Sequence, residues 1–258
     1  MPTLTARALE GLPEIAAGAD LAALIADRAT DPPLGDGDVV VVAHKAVSKA
    51  EGRVRRLAEV TPSPRAAALA AEHGKDPRHV QVVLDETREL LRAERGVLIC
   101  VTHHGFVCAN AGVDASNAAA DGVGGSESLI LLPSDPDASA RTLRARLREL
   151  TGVAPGVVIT DSFGRAWRHG QTDVAIGAAG IAALEDWRGR ADSVGRELQA
   201  TWIALADHIA GAADLARGKD SRQPVVLLSG LARHVLPPGD DGPGAAALLR
   251  PAGEDLFR

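Results

Sequence analysis

Asp36-Gly37-Asp38 leading into Val39-Val40-Val41-Val42-Ala43 is the stretch on which the fold turns. A turn opens onto a continuous apolar run rich in β-branched residues. Such a run has no polar side to show to water, so it reads as a strand covered on both faces. Outward from it, Val97 to Thr102, Leu129 to Leu132, Val157 to Thr160 and Val225 to Leu228 read as further short strands, and Thr3 to Leu9 alternates more weakly. Helical signals lie between them. Leu21 to Ile25 opens one helix, Ser63-Pro64 starts another that ends at Gly74, and a third covers about Val80 to Arg92. Asp135-Pro136-Asp137 caps a basic helix that stops at Thr151-Gly152, while Trp202, Leu205, Ile209, Ala212 and Leu215 recur at helical spacing up to Gly218. The strand at Val157 to Thr160 is expected to end at Asp161, before a long Gly-rich stretch from Gly164 to Gly195.

At 258 residues the chain can bury a sizeable core, and 46% hydrophobic with 24% charged residues excludes a disordered or fibrous protein. Three Phe, three Trp and no Tyr mean that Ala, Val, Leu and Ile build that core. The same scarcity removes base-stacking readout, and a net charge of -6 removes the basic footprint of a nucleic-acid binder. Cys100 and Cys108 sit in apolar surroundings and read as small core residues. No stretch approaches the ~20 apolar residues of a membrane span, nor does the N-terminus resemble a leader, so a cytoplasmic protein without a membrane partner is expected. Residues 1–258 read as one unit, either undivided or built of two interleaved subdomains, and the tail 236–258 is expected to be partly mobile.

Five segments carry polar chemistry into apolar surroundings. Val47-Ser48-Lys49-Ala50-Glu51-Gly52-Arg53 comes after the buried strand, where Lys49 and Arg53 suit either phosphate or a solvated basic turn. Asn110, Asp114, Ser116 and Asn117 are hard oxygen and amide groups in a loop of small residues, which fits a ligand site or an Asx-turn loop. Asp161-Ser162, at the end of a buried strand, offers a carboxylate and a hydroxyl to Mg²⁺ or Mn²⁺, or a cap to the next turn of chain. Trp167 to Gly177 crowds arginine, amide and carboxylate groups beside glycines, and Ala216-Arg217-Gly218-Lys219 ends a helix with two cations. The Walker A, dinucleotide-fingerprint and nucleophile-elbow spacings are all missing.

In this order the segments resemble the coenzyme F420-0: γ-glutamyl ligase family, most specifically through Asn110-Ala111-Gly112-Val113-Asp114-Ala115-Ser116-Asn117 together with Thr160-Asp161-Ser162-Phe163-Gly164-Arg165. The resemblance implies an α+β fold of mixed sheets with flanking helices in an intertwined homodimer. It implies a ligase that uses GTP, with Mg²⁺ or Mn²⁺ and K⁺, to join L-glutamate to a deazaflavin phospholactate. Carried over residue by residue, GTP contacts fall at Leu12, Pro13, Glu14, Ile15, His44, Lys49, Asn117, Arg217, Gly218 and Lys219, and metal ligands at Asp114, Asp161 and Ser162. His44 stands where some members have Ser, and Lys219 where some carry an acidic ligand. The ammonium of Lys219 cannot coordinate a cation and is expected to meet phosphate instead. Asp114, Asp161 and Lys49 form the implied catalytic set, and Arg53, Arg165 and Arg168 are candidates for an anion-binding pocket. The alternative is a metal-dependent phosphohydrolase acting on a nucleotide or phosphate ester.

Overall fold

The computed structural model describes residues 3–115, 127–218 and 220–255. The run at residues 39–43 is a central strand. β1 (Thr5–Ala8), β2 (Val39–Ala43), β8 (Gly156–Arg165), β9 (Arg168–Ala179) and β12 (Val225–Ser229) form a sheet in the order β1-β12-β2-β8-β9. Of these neighbours β2 and β8 run parallel and the other pairs antiparallel. Val40, Val42, Val157, Ile159, Val225 and Leu227 enter one core, under α1 (Leu21–Arg28) and α5 (Pro136–Thr151). Val39, Val41, Val158, Val226 and Leu228 enter a second, under α6 (Leu205–Asp214). Period-two alternation thus feeds both faces, as the all-apolar run requires.

A third core lies apart, in the chain between β2 and α5. There α3 (Pro64–His73) and α4 (Pro77–Asp85) cover β4 (Thr87–Glu94), β5 (Val97–Thr102) and β6 (Val107–Ala109), a sheet in the order β4-β5-β6. The pair β3 (Val54–Arg56) and β7 (Ser128–Ile130) joins this unit to the main sheet, and β10 (Glu185–Asp186) with β11 (Trp202–Ile203) forms a small hairpin arm. The mixed sheets and flanking helices make the fold α+β.

Four expectations need correction. The helix expected to about Arg92 stops at Asp85, and residues 87–94 are strand β4. Arg95 (φ 51°) and Gly96 (φ 76°) form a tight turn that folds this segment onto β5, and that pairing overrides the helical propensity of Glu89-Leu90-Leu91-Arg92-Ala93-Glu94. β8 does not end at Asp161 but runs on to Arg165, because β9 pairs with it along its whole length. β9 itself occupies much of the Gly-rich stretch. Its small residues serve close packing: a Cβ at Gly177 would lie 2.3 Å from the Pro136 carbonyl oxygen at the start of α5. Finally, α6 begins at Leu205, leaving Trp202 in β11 and Leu215 beyond the helix and 91% exposed.

The C-terminal stretch is tied to the body. Arg144 of α5, 3% exposed, donates to the carbonyls of Pro155, Leu236, Pro237 and Asp240 and to the Asp241 carboxylate, while Asp137 accepts from the Ala245 and Ala246 amides.

Candidate active site at the end of the parallel strands

β2 ends at Ala43 beside Thr160 of β8, where the parallel pairing stops, and the next residue on each is His44 and Asp161. The carboxyl ends of parallel strands are where such sheets expose backbone and side chains to ligands. α2 (His44–Ala50) springs directly from β2, with Ala43 in the N-cap position and no side-chain cap. Four α2 residues carry the site's charge and polarity. His44, 2% exposed, places Nδ1 3.4 Å from Ser48 Oγ, one helical turn on. Its Nε2 lies 3.2 Å from Asp161 Oδ1, in ion-pair range though off the line of a hydrogen bond. Lys45 Nζ is 2.6 Å from Asp114 Oδ2. Lys49, 8% exposed, pairs with Glu14.

α2 therefore gathers segments far apart in sequence. Asp114 is held in place by a two-way backbone bridge to Ile130, with N–H···O distances of 3.0 and 2.8 Å. Asp161 also accepts from the Ser162 amide at 2.8 Å. Burial pushes the Cys108 thiol up to about 12, and the nearby Asp161 charge adds to that shift. Cys108 faces Cys100 across β5 and β6; both are free and buried, as expected. Glu14 belongs to the loop carrying Leu12, Pro13 and Ile15, which is fastened over α2 where the Gly18 amide donates to the Ala50 carbonyl at 2.8 Å. Ile15 is buried, whereas Pro13 and Glu14 are exposed.

Strand alternation separates the two residues expected to share metal chemistry. Asp161 continues the face of Val157 and Ile159, toward α2, whereas Ser162 continues the face of Val158, toward α6. On that second face Ser162 Oγ donates to Asp173 Oδ1 at 2.6 Å, and Thr160 Oγ1 donates to Asp173 Oδ2 at 2.9 Å. Arg217, beyond the end of α6, pairs with Asp173 Oδ2 and donates to Thr160 Oγ1 at 2.8 Å and to the Pro224 carbonyl at 3.1 Å. Burial favours the neutral acid at Asp173, but the Ser162 hydroxyl, the Arg217 charge and the Thr160 hydroxyl together hold its carboxyl below the usual value. Arg217 is thus committed to the protein interior, and Gly218 comes next in a turn closed by the Ser221 amide and hydroxyl.

Among the arginines suggested for anion binding, Arg53 bonds Glu86 at 2.7 Å and the Leu132 carbonyl at 3.0 Å, while Arg165 and Arg168 stand exposed on the β8–β9 hairpin. Ser116, Asn117 and Lys219 lie outside the described residues. A cavity of about 440 Å³ adjoins α2 at Val47, Ala50 and Glu51, between α1 and α5. Another, of about 300 Å³, is lined by His104, Phe106 and the start of α5, and Phe106 meets Phe163 of β8 edge-on at 6.2 Å. Among the described residues, no three His, Cys, Asp or Glu side chains gather as a metal-holding group.

Sequence reasoning did not single out Lys45 or Asp173. Recognising α2 as a helix would have put Lys45 and Lys49, four residues apart, on one side of it. Asp173 lay within a segment already marked as chemically crowded.

Fold and site define an α+β protein with a charge-paired polar cluster at the end of a parallel strand pair. The family model for F420-0:Gamma-glutamyl ligase matches residues 11–230, and the chain belongs to that family, a family of ligases. It is 46% identical to the Coenzyme F420:L-glutamate ligase of Methanopyrus kandleri over 260 residues, covering 100% of this chain and 99% of the relative. It is 42% identical to the Methanothermobacter thermautotrophicus protein of the same name, covering 97% of each, and 47% identical to the one from Archaeoglobus fulgidus, covering 86% of each.

Proposed function

We propose that this protein joins L-glutamate by an amide bond to a deazaflavin phospholactate, coenzyme F420-0, with GTP as phosphoryl donor. The observation that carries the reading is the convergence on α2 of Glu14, Asp114 and Asp161, three residues of family segments scattered over most of the matched length. A carboxylate is a poor acyl donor, so amide formation needs activation. Transfer of the γ-phosphoryl group to the phospholactate carboxylate gives an acyl phosphate, which the glutamate amine attacks, releasing phosphate. Lys49 and the exposed Arg165 meet phosphate oxygens as cationic clamps. His44 and Lys45 hold Asp161 and Asp114 in fixed orientations at the strand end.

Asp114 and Asp161, both reached by α2, offer oxygen donors that by their chemistry would hold a hard divalent cation, Mg²⁺ or Mn²⁺, and Ser162, on the opposite face of β8, stands apart from them. When bound, such a cation neutralises phosphate charge; K⁺ is part of the same proposal. The protein acts as a homodimer in this reading.

The test is incubation with the deazaflavin phospholactate, L-glutamate, GTP and Mn²⁺, with mass spectrometry for added glutamyl units. Glutamate-dependent release of GDP and phosphate is expected, and Asp161→Asn should fold but lose it. Phosphate release that ignores glutamate would instead indicate a hydrolase.

A further inference from the structure

Two of the chain's three phenylalanines come together beside β8. Phe106, 7% exposed, follows the turn after β5 and meets Phe163 at 6.2 Å. His104 stacks on Phe106, with ring centres 5.6 Å apart and planes 25° from parallel. His104 Nε2 lies 2.9 Å from the Pro133 carbonyl oxygen and 3.2 Å from that of Ser134. Both are acceptors, so this nitrogen carries the proton and anchors the imidazole to the approach to α5. The pair lines the cavity of about 300 Å³, whose remaining wall includes Pro136, Ile176, Ala246 and Leu249. Ala246 and Leu249 belong to the C-terminal stretch, held against α5 where Asp137 accepts from the Ala245 and Ala246 amides. The result is a largely apolar slot with a preset aromatic side. Its volume is at the lower end of the ~300 to 1,000 Å³ of small-molecule sites, which is room for one ring system.

We infer that this slot holds the flat deazaflavin ring of the acceptor, stacked against Phe106 and His104, and so keeps the ring apart from the carboxylate that reacts. The inference deepens the proposed function and rests on it for the identity of the acceptor. Position favours it. Asp161 and Phe163 share a face of β8, roughly 7 Å apart along the strand, and Phe106 is 6.2 Å from Phe163. A deazaflavin phospholactate carries its carboxylate about ten bonds from the ring, through a polyol, a phosphodiester and a lactyl group, roughly 12 Å when extended. One molecule therefore reaches from the slot to Asp161 beside the end of β2. The guanine of GTP is also flat, but none of the described residues at which the family resemblance puts nucleotide contacts lines this slot.

The test uses two variants and two probes. Ala246→Trp fills the slot from an exposed position, and Phe106→Leu keeps an apolar side chain while removing the aromatic face. The first probe is the deazaflavin ring with its polyol but no phospholactate, followed in equilibrium dialysis by its own absorbance. The second is GTP with Mn²⁺ in calorimetry. Both variants should bind the ring compound about 5- to 150-fold more weakly than wild type, the ~1 to 3 kcal/mol of a lost stacking platform, and GTP within about twofold. With the complete acceptor, its KM should rise by a similar factor while kcat holds, because the ring is bound alike in the ground and transition states. Ring-compound affinity of Ala246→Trp within about twofold of wild type overturns the slot, as does wild-type protein that does not bind the ring compound; this variant keeps the test decisive if Phe106→Leu does not fold. Loss of GTP affinity in its place would assign the slot to guanine and overturn the inference equally. The proposed reaction is judged separately. Ring binding that both variants weaken, with no glutamate added to the acceptor, overturns the ligase reading and keeps the slot. Glutamate addition with an unchanged acceptor KM in both variants overturns the slot and keeps the ligase.

Discussion

Lys49 is an ammonium with 8% of its surface exposed, and its carboxylate partner Glu14 has a side chain 63% exposed. A cation so placed is paired with the Glu14 carboxylate and can turn toward a ligand phosphate beside the end of β2. Lys49→Ala should raise the GTP dissociation constant by about 10- to 150-fold in calorimetry with Mn²⁺ present; a change within about twofold would return Lys49 to a structural pair with Glu14. Asp173 carries a prediction about pH. Its folded pKa lies below the ordinary 3.8, so its ionised form stabilises the fold above that value. The stability is lost as pH falls from the unfolded pKa through the lower folded one. Urea unfolding in steps from about pH 5 to pH 2 should show wild type losing stability more steeply than Asp173→Asn. Parallel curves would mean that the network does not hold the carboxylate ionised. At this scale the sequence displayed the reactive residue types, but a carboxylate reads the same whether it faces solvent or a buried arginine. Burial and partners come from folding.

Elements were legible where the local signal and the tertiary environment agree. Ser63 accepts from the Ala66 amide, Asp135 from the Ala138 amide, and Gly74 and Gly152 end their helices in the left-handed conformation, so α3 and α5 appear where their caps announced them. They failed to be legible where long-range pairing decided. β4 has helix-forming residues but a strand partner, α2 lacks a capping side chain, and β9 is built of residues with weak strand preference. The glycine in β9 is needed because α5 comes close enough to exclude a side chain. Gly177→Ala would put a methyl group within 2.5 Å of the Pro136 carbonyl carbon and closer still to its oxygen, so β9 or α5 must shift. The expected loss is about 1 to 3 kcal/mol, read as a lower urea midpoint with an unchanged slope. An unchanged midpoint would mean that α5 is free to yield there.

At the scale of the molecule, the described apolar residues fall into three cores, two on the faces of the main sheet and one in the α3–α4–β4–β6 unit. The hairpin arm around β10 and β11 leaves Trp202 49% exposed, with Arg188 stacked over it at 4.4 Å, and Trp167 at the β8–β9 hairpin tip is 79% exposed. In a chain with three tryptophans, such exposure suits a second copy. Sedimentation at low micromolar concentration should give about twice 26.6 kDa, and an active monomer would overturn the dimer. The sequence by itself determined the covered central strand, the capped helices, the α+β class and the family, because these depend on local pattern and on motif order. Only the tertiary structure decided that α2 collects Glu14, Asp114 and Asp161, that Asp161 and Ser162 face opposite sides of β8, and that Arg217 serves Asp173. The first and last of these join residues dozens of positions apart, and the second depends on β8 running on past Thr160; all three exist once sheet register and helix packing have fixed which side chains share a face.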